Sequence, residues 1–324
     1  MIRAFFRAAK VENAKPPYDT IHLKVLYPAK MSGSQQQLAQ GIVPADSDKA
    51  PFPVVIFFSG INCTSQMYQW LAVQLAQRGM VVVTFDWVAE NLPGIFSLTP
   101  GVDIAMWTPD KYGTGSTASA LPALLGELAS LQSEGVLAGM LNLQQIILGG
   151  HSAGGRIALE NAEPRFFPQV AAAFAYGAHN AAPIMLGFAP ETILPLPSSL
   201  PLLLIGGTKD GVIATSSGQY GLSNDATTAV VRTFHEAITG GRDDTYLLIL
   251  EGANHFSIAY PPDITTASPF DLPATQPEEA IRSLVGETIG LFIDAHVRHK
   301  PDASPALESL LLGANPTIAL LARK

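Results

Sequence analysis

Cysteine, charge and long apolar runs are all scarce in this chain of 324 residues. The single cysteine, Cys63, excludes an internal disulfide framework and a cysteine-rich zinc module. Charged residues make up 14% of the chain, against a usual share of about 25%, while 48% of the residues are hydrophobic. This combination excludes a disordered chain solvated by its own charge and indicates an unusually apolar surface.

The charged residues that do occur are mostly acidic, with 27 Asp and Glu against 19 Lys and Arg and a net charge of −8. No block of basic residues occurs, so we expect no nucleic-acid partner. Residues 1–15 lack the apolar core and cleavage site of a secretory signal, and no apolar run reaches the roughly 18 residues of a spanning helix. We therefore expect a soluble, cytoplasmic protein, and we leave peripheral membrane contact and the oligomeric state open.

Strand-like apolar runs alternate with helical patterns along the chain. After a half-buried strand at 18–27 and a polar loop at 29–52, buried strands are predicted at 53–58, 80–85, 145–148, 170–176, 202–205 and 246–250. Helices are predicted between and after them, at 65–78, 116–141, 153–162 and 277–299. This alternation predicts an α/β fold with a mostly parallel, doubly wound sheet and helices on both faces, in a single domain over 1–324.

A candidate nucleophile lies between one of these strands and the next helix. Residues 150–154 read GHSAG and match the G-x-S-x-G turn, which exposes a serine hydroxyl in strained backbone geometry. The glycines let the strand and the helix approach closely, and the first amides of the helix point at developing negative charge. Because a strand precedes the motif and a helix follows it, we predict that Ser152 is a nucleophile rather than an idle serine in a glycine-rich turn.

A nucleophilic serine needs a base, and the base needs a carboxylate that orients it. His255 directly follows a predicted strand, where a parallel sheet delivers residues to one edge. His235, His296 and His299 lie in helical segments, where a surface or dipole role suffices. We therefore predict that His255 is the base.

Asp210 is the predicted carboxylate. It follows a buried strand and lies between the serine and the histidine in the chain, the order usual for this type of turn. Asp225, Asp243 and Asp244 compete for the role, but they fall in polar segments where a solvated surface charge is the simpler interpretation. Asp86 also follows a strand, but it precedes the serine.

Two backbone amides are needed to stabilise an oxyanion. Ala153 is predicted to supply one, as the residue after the nucleophile, and Ile61 the other, from the loop after strand 53–58. Cys63 lies nearby without an adjacent base, and we interpret it as a small, partly buried residue.

Four segments resemble the α/β-hydrolase family, above all its branch of chlorophyllases, dienelactone-hydrolase-like proteins and polyester hydrolases. They are PVVIFFSG, GHSAGG, GTKDG and GANHF, which together span 53–256. The serine turn is similar to the GHSRGG of plant chlorophyllases, from which Ala153 departs, and Ser152 stands where a typical dienelactone hydrolase has cysteine. The resemblance implies ester hydrolysis, with chlorophyll as a candidate substrate.

Two proline-rich segments are candidate walls of a substrate site. Residues 177–204 contain one charged side chain, Glu191, and five prolines, which exclude a regular helix through them. We interpret 177–200 as a lid or wall, with Leu186 and Phe188 contacting substrate, and 257–275 as a second rim. For the first segment, an ordinary buried loop packed on the sheet is the alternative.

Together these features predict a serine carboxylic-ester hydrolase that acts on a hydrophobic ester without a metal or organic cofactor. Its narrowest form is a chlorophyllase-like enzyme that converts chlorophyll to chlorophyllide and phytol. The alternatives are a general lipase-like or polyesterase-like carboxylesterase, and a non-catalytic binder of an apolar ligand with the same fold. A peptidase, a thioesterase or a haloperoxidase-like enzyme could share the same three residues.

Overall fold

The structure, a computed structural model, describes residues 1–31, 34–35, 39, 41–92, 94–266, 268–313 and 315–324. The strands are β1 (Ile2–Lys10), β2 (Thr20–Pro28), β3 (Phe52–Phe58), β4 (Val81–Asp86), β5 (Val88–Leu92), β6 (Ile95–Leu98), β7 (Leu141–His151), β8 (Val170–Tyr176), β9 (Leu202–Gly207), β10 (Thr245–Leu250) and β11 (Ile318–Arg323). The α-helices described along their whole length are α1 (Gln69–Gln77), α2 (Leu121–Ser133), α3 (Ala153–Glu160), α4 (Gly211–Ser216), α5 (Thr228–Arg232), α6 (Glu278–His296) and α7 (Ala303–Leu312).

Shorter helical turns connect several of these elements. They are 3-10 turns at Ser47–Lys49, Ser65–Tyr68, Ile104–Met106, Gly135–Leu137, Ile184–Leu186, Ser217–Tyr220 and Ser268–Phe270, and a π-helical turn at Thr233–Ala237. Among the helices that the structure describes, none is both long enough and apolar enough to cross a membrane.

One large sheet contains nine of the described strands, in the order β1-β2-β4-β3-β7-β8-β9-β10-β11. Strands β4, β3, β7, β8, β9 and β10 pair in parallel. The edge strands add antiparallel, β1 and β2 at one side and β11 at the other. Strands β5 and β6 form a separate antiparallel pair. The predicted α/β fold with a mostly parallel sheet is thus confirmed, and the antiparallel edge strands make the sheet mixed.

The central strands are apolar because helices cover both of their faces. All seven residues of β3 are buried. Val54, Ile56 and Phe58 pack on the side of α2 and α3, whereas Val55 and Phe57 pack on the side of α1 and α6. Each such side chain contributes about 1.5–3 kcal/mol when it is fully removed from water, which explains the unbroken apolar runs.

The edges of the sheet differ from the prediction. β1 begins at Ile2 and β11 ends at Arg323, in segments for which no strand was predicted. Both strands are largely exposed or half-exposed and form by pairing with a buried neighbour. Their apolar residues fall on both sides of the strand, so the alternation that identifies a half-buried strand is missing.

The predicted helix at 116–141 is shorter in the structure. Helix α2 begins at Leu121, with Pro122 in its first turn, and ends at Ser133. Gly135 and Gly139 have φ of 72°, in the left-handed region, which a helix cannot continue through. Leu141 already belongs to β7, so the Ala- and Leu-rich composition overestimated the helix.

The order of strands creates a crevice between β3 and β7. The chain adds β4 on one side of β3 and then returns to place β7 on the other side. In doubly wound sheets, the loops that follow two such strands diverge to opposite faces and leave a site at their carboxyl ends. Here those ends lead into the Ile61 loop and into the turn that contains Ser152.

Gly154 allows α3 to approach the end of β3, and its replacement tests this packing. A Cβ at Gly154 would lie 2.2 Å from the Phe58 carbonyl oxygen, which is sterically impossible without movement of the backbone. We expect Gly154→Ala to lower the free energy of unfolding by at least about 2 kcal/mol in urea denaturation. In α2, a Cβ at Gly126 meets nothing within 4 Å, so the control Gly126→Ala should leave stability unchanged or raise it by up to about 1 kcal/mol. Equal stability of the two variants would contradict the packing.

Candidate active site

Ser152 lies on the sharp turn between β7 and α3, in geometry that a non-glycine residue rarely adopts. Its φ is 55° and its ψ is −127°. The turn is held by a hydrogen bond from Ser152 N to Tyr176 O at 2.9 Å and by one from Arg156 N to Ser152 O at 3.0 Å. Strain of this kind persists only where the surroundings fix it, and such positions cluster at functional sites.

Asp210 and His255 form a buried pair at the ends of β9 and β10. His255 Nδ1 lies 2.7 Å from Asp210 Oδ2, and the two side chains are 3% and 0% exposed. The other carboxylate oxygen, Oδ1, accepts a hydrogen bond from Ile213 N at 2.8 Å, at the start of α4. Both oxygens therefore have partners, as the burial of a charge requires.

This pair fixes the position of the proton on His255. A carboxylate only accepts hydrogen bonds, so Nδ1 carries the proton and Nε2 keeps its lone pair. Burial by itself would lower the pKa of His255, but the charge and the hydrogen bond of Asp210 outweigh burial, and the pKa lies above its ordinary value of 6.5. His255 is thus suited to accept a proton and to hold it.

The acids and histidines that competed for these roles lie elsewhere. Asp225 accepts hydrogen bonds from the amides of residues 227 and 228, and Asp86 accepts them from the amide and hydroxyl of Ser65. Asp244 pairs with the side chain of Arg242, and Asp243 pairs with that of Arg323. His235 and His299 are exposed, and His296 Nε2 lies 3.1 Å from the Tyr246 hydroxyl. Among these candidates, the structure brings Asp210 to His255.

Ser152 and His255 line the same cavity, which has a volume of about 410 Å³. Arg156 is the one Lys, Arg, Asp or Glu among the described residues that line it. The apolar walls are formed by Ile95, Val102, Ile104, Trp107, Val212, Ile213 and Tyr220. A mostly apolar cavity that also has polar groups in its lining is typical of a small-molecule site.

Leu186 and Phe188 are not among the described residues that line this cavity, although substrate contact was predicted for them. Of the predicted lid or wall, residues 177–179 reach the cavity. The main apolar walls come instead from 95–107 and 212–220. Composition identified an apolar segment, but it did not reveal which side chains turn toward the site.

Ile61 and Ala153, the predicted oxyanion donors, both line the cavity. Ala153 is the first residue of α3, so its N–H has no acceptor within the helix. The Ile61 loop is held by a hydrogen bond from Asn62 N to Leu98 O at 2.9 Å, at the end of β6. Among the described residues, no hydrogen bond uses the Ile61 N–H. Within the described part of the chain, both amides therefore remain available to bind an anionic oxygen.

A chain of buried hydrogen bonds links the loops that carry these residues. Gly60 N donates to the Tyr68 hydroxyl at 3.4 Å, and this hydroxyl donates to His151 Nδ1 at 2.8 Å. His151 Nε2 then donates to the backbone oxygen of His255 at 3.0 Å. The direction is fixed because a carbonyl oxygen only accepts. Burial and the neighbouring His255 lower the pKa of His151 well below its ordinary value, so this ring stays neutral.

Asp271, in the predicted second rim 257–275, accepts hydrogen bonds from the loop that contains Asp210 and from the loop that contains His255. Its Oδ1 accepts from Gly211 N at 2.9 Å, and its Oδ2 accepts from Phe256 N at 3.1 Å. These amides belong to the residues directly after Asp210 and His255, so one carboxylate holds both loops. Burial raises the pKa of Asp271. Sequence reasoning missed Asp271, Tyr68 and His151, since no spacing pattern identifies them.

In the part of the chain that the structure describes, no group of three or more His, Cys, Asp and Glu side chains is arranged to hold a metal ion. A scan against models of known protein families finds no match to this chain, and a search of curated proteins finds no similar protein.

His255 and His151 should respond differently to pH, because the pKa of His255 is raised and that of His151 is lowered. In ¹⁵N-resolved NMR spectra, we expect the pKa of His255 above 6.5, and a neutral, Nε2-protonated His151 from about pH 5 to pH 8. Asp210→Asn should lower the pKa of His255, because the charge that raises it is lost. Asp225→Asn is the control and should leave that pKa unchanged. An equal shift in both variants would contradict the assignment of Asp210.

Proposed function

We propose that this protein is an α/β-hydrolase that cleaves carboxylic esters through a serine acyl-enzyme. The observation that carries the proposal is the buried Asp210–His255 pair, at 2.7 Å, beside a cavity that Ser152 also lines. The topology supports it, because the three residues follow parallel strands whose carboxyl ends share one edge of the sheet.

In the proposed reaction, the Ser152 hydroxyl attacks the ester carbonyl while His255 Nε2 accepts its proton. The Asp210 carboxylate stabilises the imidazolium, and the amides of Ile61 and Ala153 stabilise the oxyanion. His255 then protonates the leaving alcohol, and a water molecule activated by the same nitrogen releases the acid. Since only neutral His255 accepts the proton, turnover rises with pH through the raised pKa of this residue.

The walls of the cavity favour a hydrophobic ester. Each methylene that an apolar wall removes from water contributes about 0.8 kcal/mol, or close to fourfold in binding. The four segments that resemble chlorophyllases and their relatives support the narrower proposal, cleavage of the phytyl ester of chlorophyll. A general carboxylesterase for hydrophobic esters is the broader form of the same proposal.

Covalent labelling tests the nucleophile. A fluorophosphonate should label Ser152 in the wild type, and Ser152→Ala should lose both the label and at least about a thousandfold of its turnover of p-nitrophenyl butyrate. Ser216 places another hydroxyl at the same cavity, so Ser216→Ala is the control and should still be labelled at Ser152. A wild type that binds an apolar ester but neither reacts with the reagent nor turns over would instead be a non-catalytic binder.

A series of p-nitrophenyl esters from acetate to decanoate tests the substrate class. We expect kcat/KM to rise with chain length, by up to about fourfold per methylene while the chain contacts the wall. Ile104→Asn should reduce this rise because Ile104 lines the cavity, whereas Leu186→Asn, outside the lining, should not. Chlorophyllide release from chlorophyll a would support the narrower proposal. A preference for acetate in the wild type would contradict a hydrophobic substrate.

A further inference from the structure

Arg156 is a charged group in the wall of a mostly apolar cavity. It lies one helical turn after Ser152, its exposed fraction is 5%, and it lines the cavity. Its guanidinium carbon lies 3.9 Å from the centre of the Trp107 ring, which fixes the plane of the group. The proposed function has no role for this side chain.

The guanidinium of Arg156 has one nitrogen without a partner. Nε donates to Glu160 Oε1 at 2.8 Å, and Nη1 donates to Ala181 O at 2.9 Å. Nη2 is buried and has no hydrogen-bond partner among the described residues. A buried donor without an acceptor is destabilising, and most buried donors in folded proteins have a hydrogen-bond partner.

Glu160 balances the charge and cannot move to the free nitrogen. Its Oε2 accepts from Trp107 Nε1 at 2.8 Å and from Thr117 Oγ1 at 2.7 Å, while its Oε1 binds Arg156. The pair is therefore electrically neutral as a whole and is held rigidly. Nη2 remains a buried donor without an acceptor among the described residues, on a side chain that lines the cavity.

His179 supplies a second donor at the same cavity. Its Nδ1 accepts a hydrogen bond from Ala181 N at 3.2 Å, so Nε2 carries the proton. Its ring lies edge-on against Tyr220, with centroids 4.7 Å apart. Burial, together with Arg156 and His255, lowers the pKa of His179 to about 3, so the ring is a neutral donor at working pH.

We propose that the substrate carries, besides the ester that Ser152 attacks, a neutral carbonyl oxygen that accepts hydrogen bonds from Arg156 Nη2 and His179 Nε2. A ketone, a second ester or an amide would supply this oxygen. The inference rests on the proposed function, since that function defines which bond is cleaved.

The charge of the wall decides between a carbonyl oxygen and a carboxylate. Glu160 already neutralises Arg156, and His179 is neutral, so a bound carboxylate would leave one uncompensated negative charge in an apolar cavity. A cationic substrate is disfavoured because no Asp or Glu is among the described lining residues. A carbonyl oxygen satisfies the free donors without adding charge.

Matched esters test the inference. We would compare kcat/KM for p-nitrophenyl octanoate with that for its 5-oxo, 6-oxo and 7-oxo analogues, which differ from it by one carbonyl oxygen. The half ester of suberic acid with p-nitrophenol supplies the carboxylate arm. Selectivity is the ratio of kcat/KM between each analogue and octanoate.

The variant Arg156→Met/Glu160→Gln removes the donor and the charge of its partner together, and the amide oxygen introduced by Glu160→Gln still accepts from Trp107 and Thr117. Its selectivity for the best oxo ester should fall by about tenfold relative to the wild type, the value of one hydrogen bond to a charged donor. His179→Phe should lower the same selectivity. Glu160→Gln alone leaves Arg156 uncompensated and should shift selectivity toward the carboxylate.

The matched control is Arg282→Met/Glu278→Gln, which removes another Arg–Glu pair of the same spacing. Arg282 also lies over an aromatic ring, that of Tyr260 at 4.6 Å, but it does not line the cavity. Selectivity should stay at the wild-type value in this control. Thermal unfolding verifies that each variant is folded.

The inference would be overturned if Arg156→Met/Glu160→Gln and His179→Phe both fold and both keep a selectivity within twofold of the wild type. A wild-type preference for the carboxylate would also overturn it. To separate this failure from that of the proposed function, Kd for ethyl octanoate and its oxo analogues is measured with Ser152→Ala, through the change in tryptophan fluorescence, to which Trp107 in the cavity wall contributes. If the wild type hydrolyses no ester, the proposed function fails. Tighter binding of an oxo ester than of ethyl octanoate, lost when Arg156 is replaced, would still support the carbonyl site. Equal Kd values for the oxo ester and ethyl octanoate would overturn the carbonyl site.

Discussion

The close approach of α3 to the end of β3 is the constraint on which the candidate site depends. A Cβ at Gly154 would lie 2.2 Å from Phe58 O, and one at Gly150 would lie 2.4 Å from the backbone of Gly154. Only glycine allows such contacts, and they determine where α3 begins. Ser152 is the N-cap of this helix, and the Ile61 loop follows β3. The same packing therefore brings the Ser152 hydroxyl and the Ile61 amide to one cavity.

The centre of the fold could be predicted from the sequence, whereas its edges could not. A strand covered on both faces must be apolar throughout, so β3 and β10 stand out as unbroken runs between glycine-containing turns. β1 and β11 gain their structure from pairing with a neighbour, and their side chains are partly solvated. Local pattern carries little information about such strands, because tertiary pairing, not burial of one face, selects them.

The sequence pointed to the candidate catalytic residues because each lies in the turn or loop that follows a buried strand. Ser152, Asp210 and His255 share that position, and a parallel sheet delivers such residues to one edge. Asp271 could not be predicted, since it reaches the site through an irregular loop and acts on the backbone of others. The walls of the cavity were missed for a related reason: an apolar side chain such as Leu186 gives no signal of the direction in which it points.

The environment of the two adjacent histidines assigns them different roles. The rings of His151 and His255 lie 4.6 Å apart, yet burial lowers the pKa of the first while Asp210 raises that of the second. Two positive charges at this distance would repel strongly in a buried site. Burial and the neighbouring His255 thus keep the His151 ring neutral, and its Nδ1 lone pair accepts the hydrogen bond from the Tyr68 hydroxyl. Positive charge can therefore develop on His255, which lines the same cavity as Ser152.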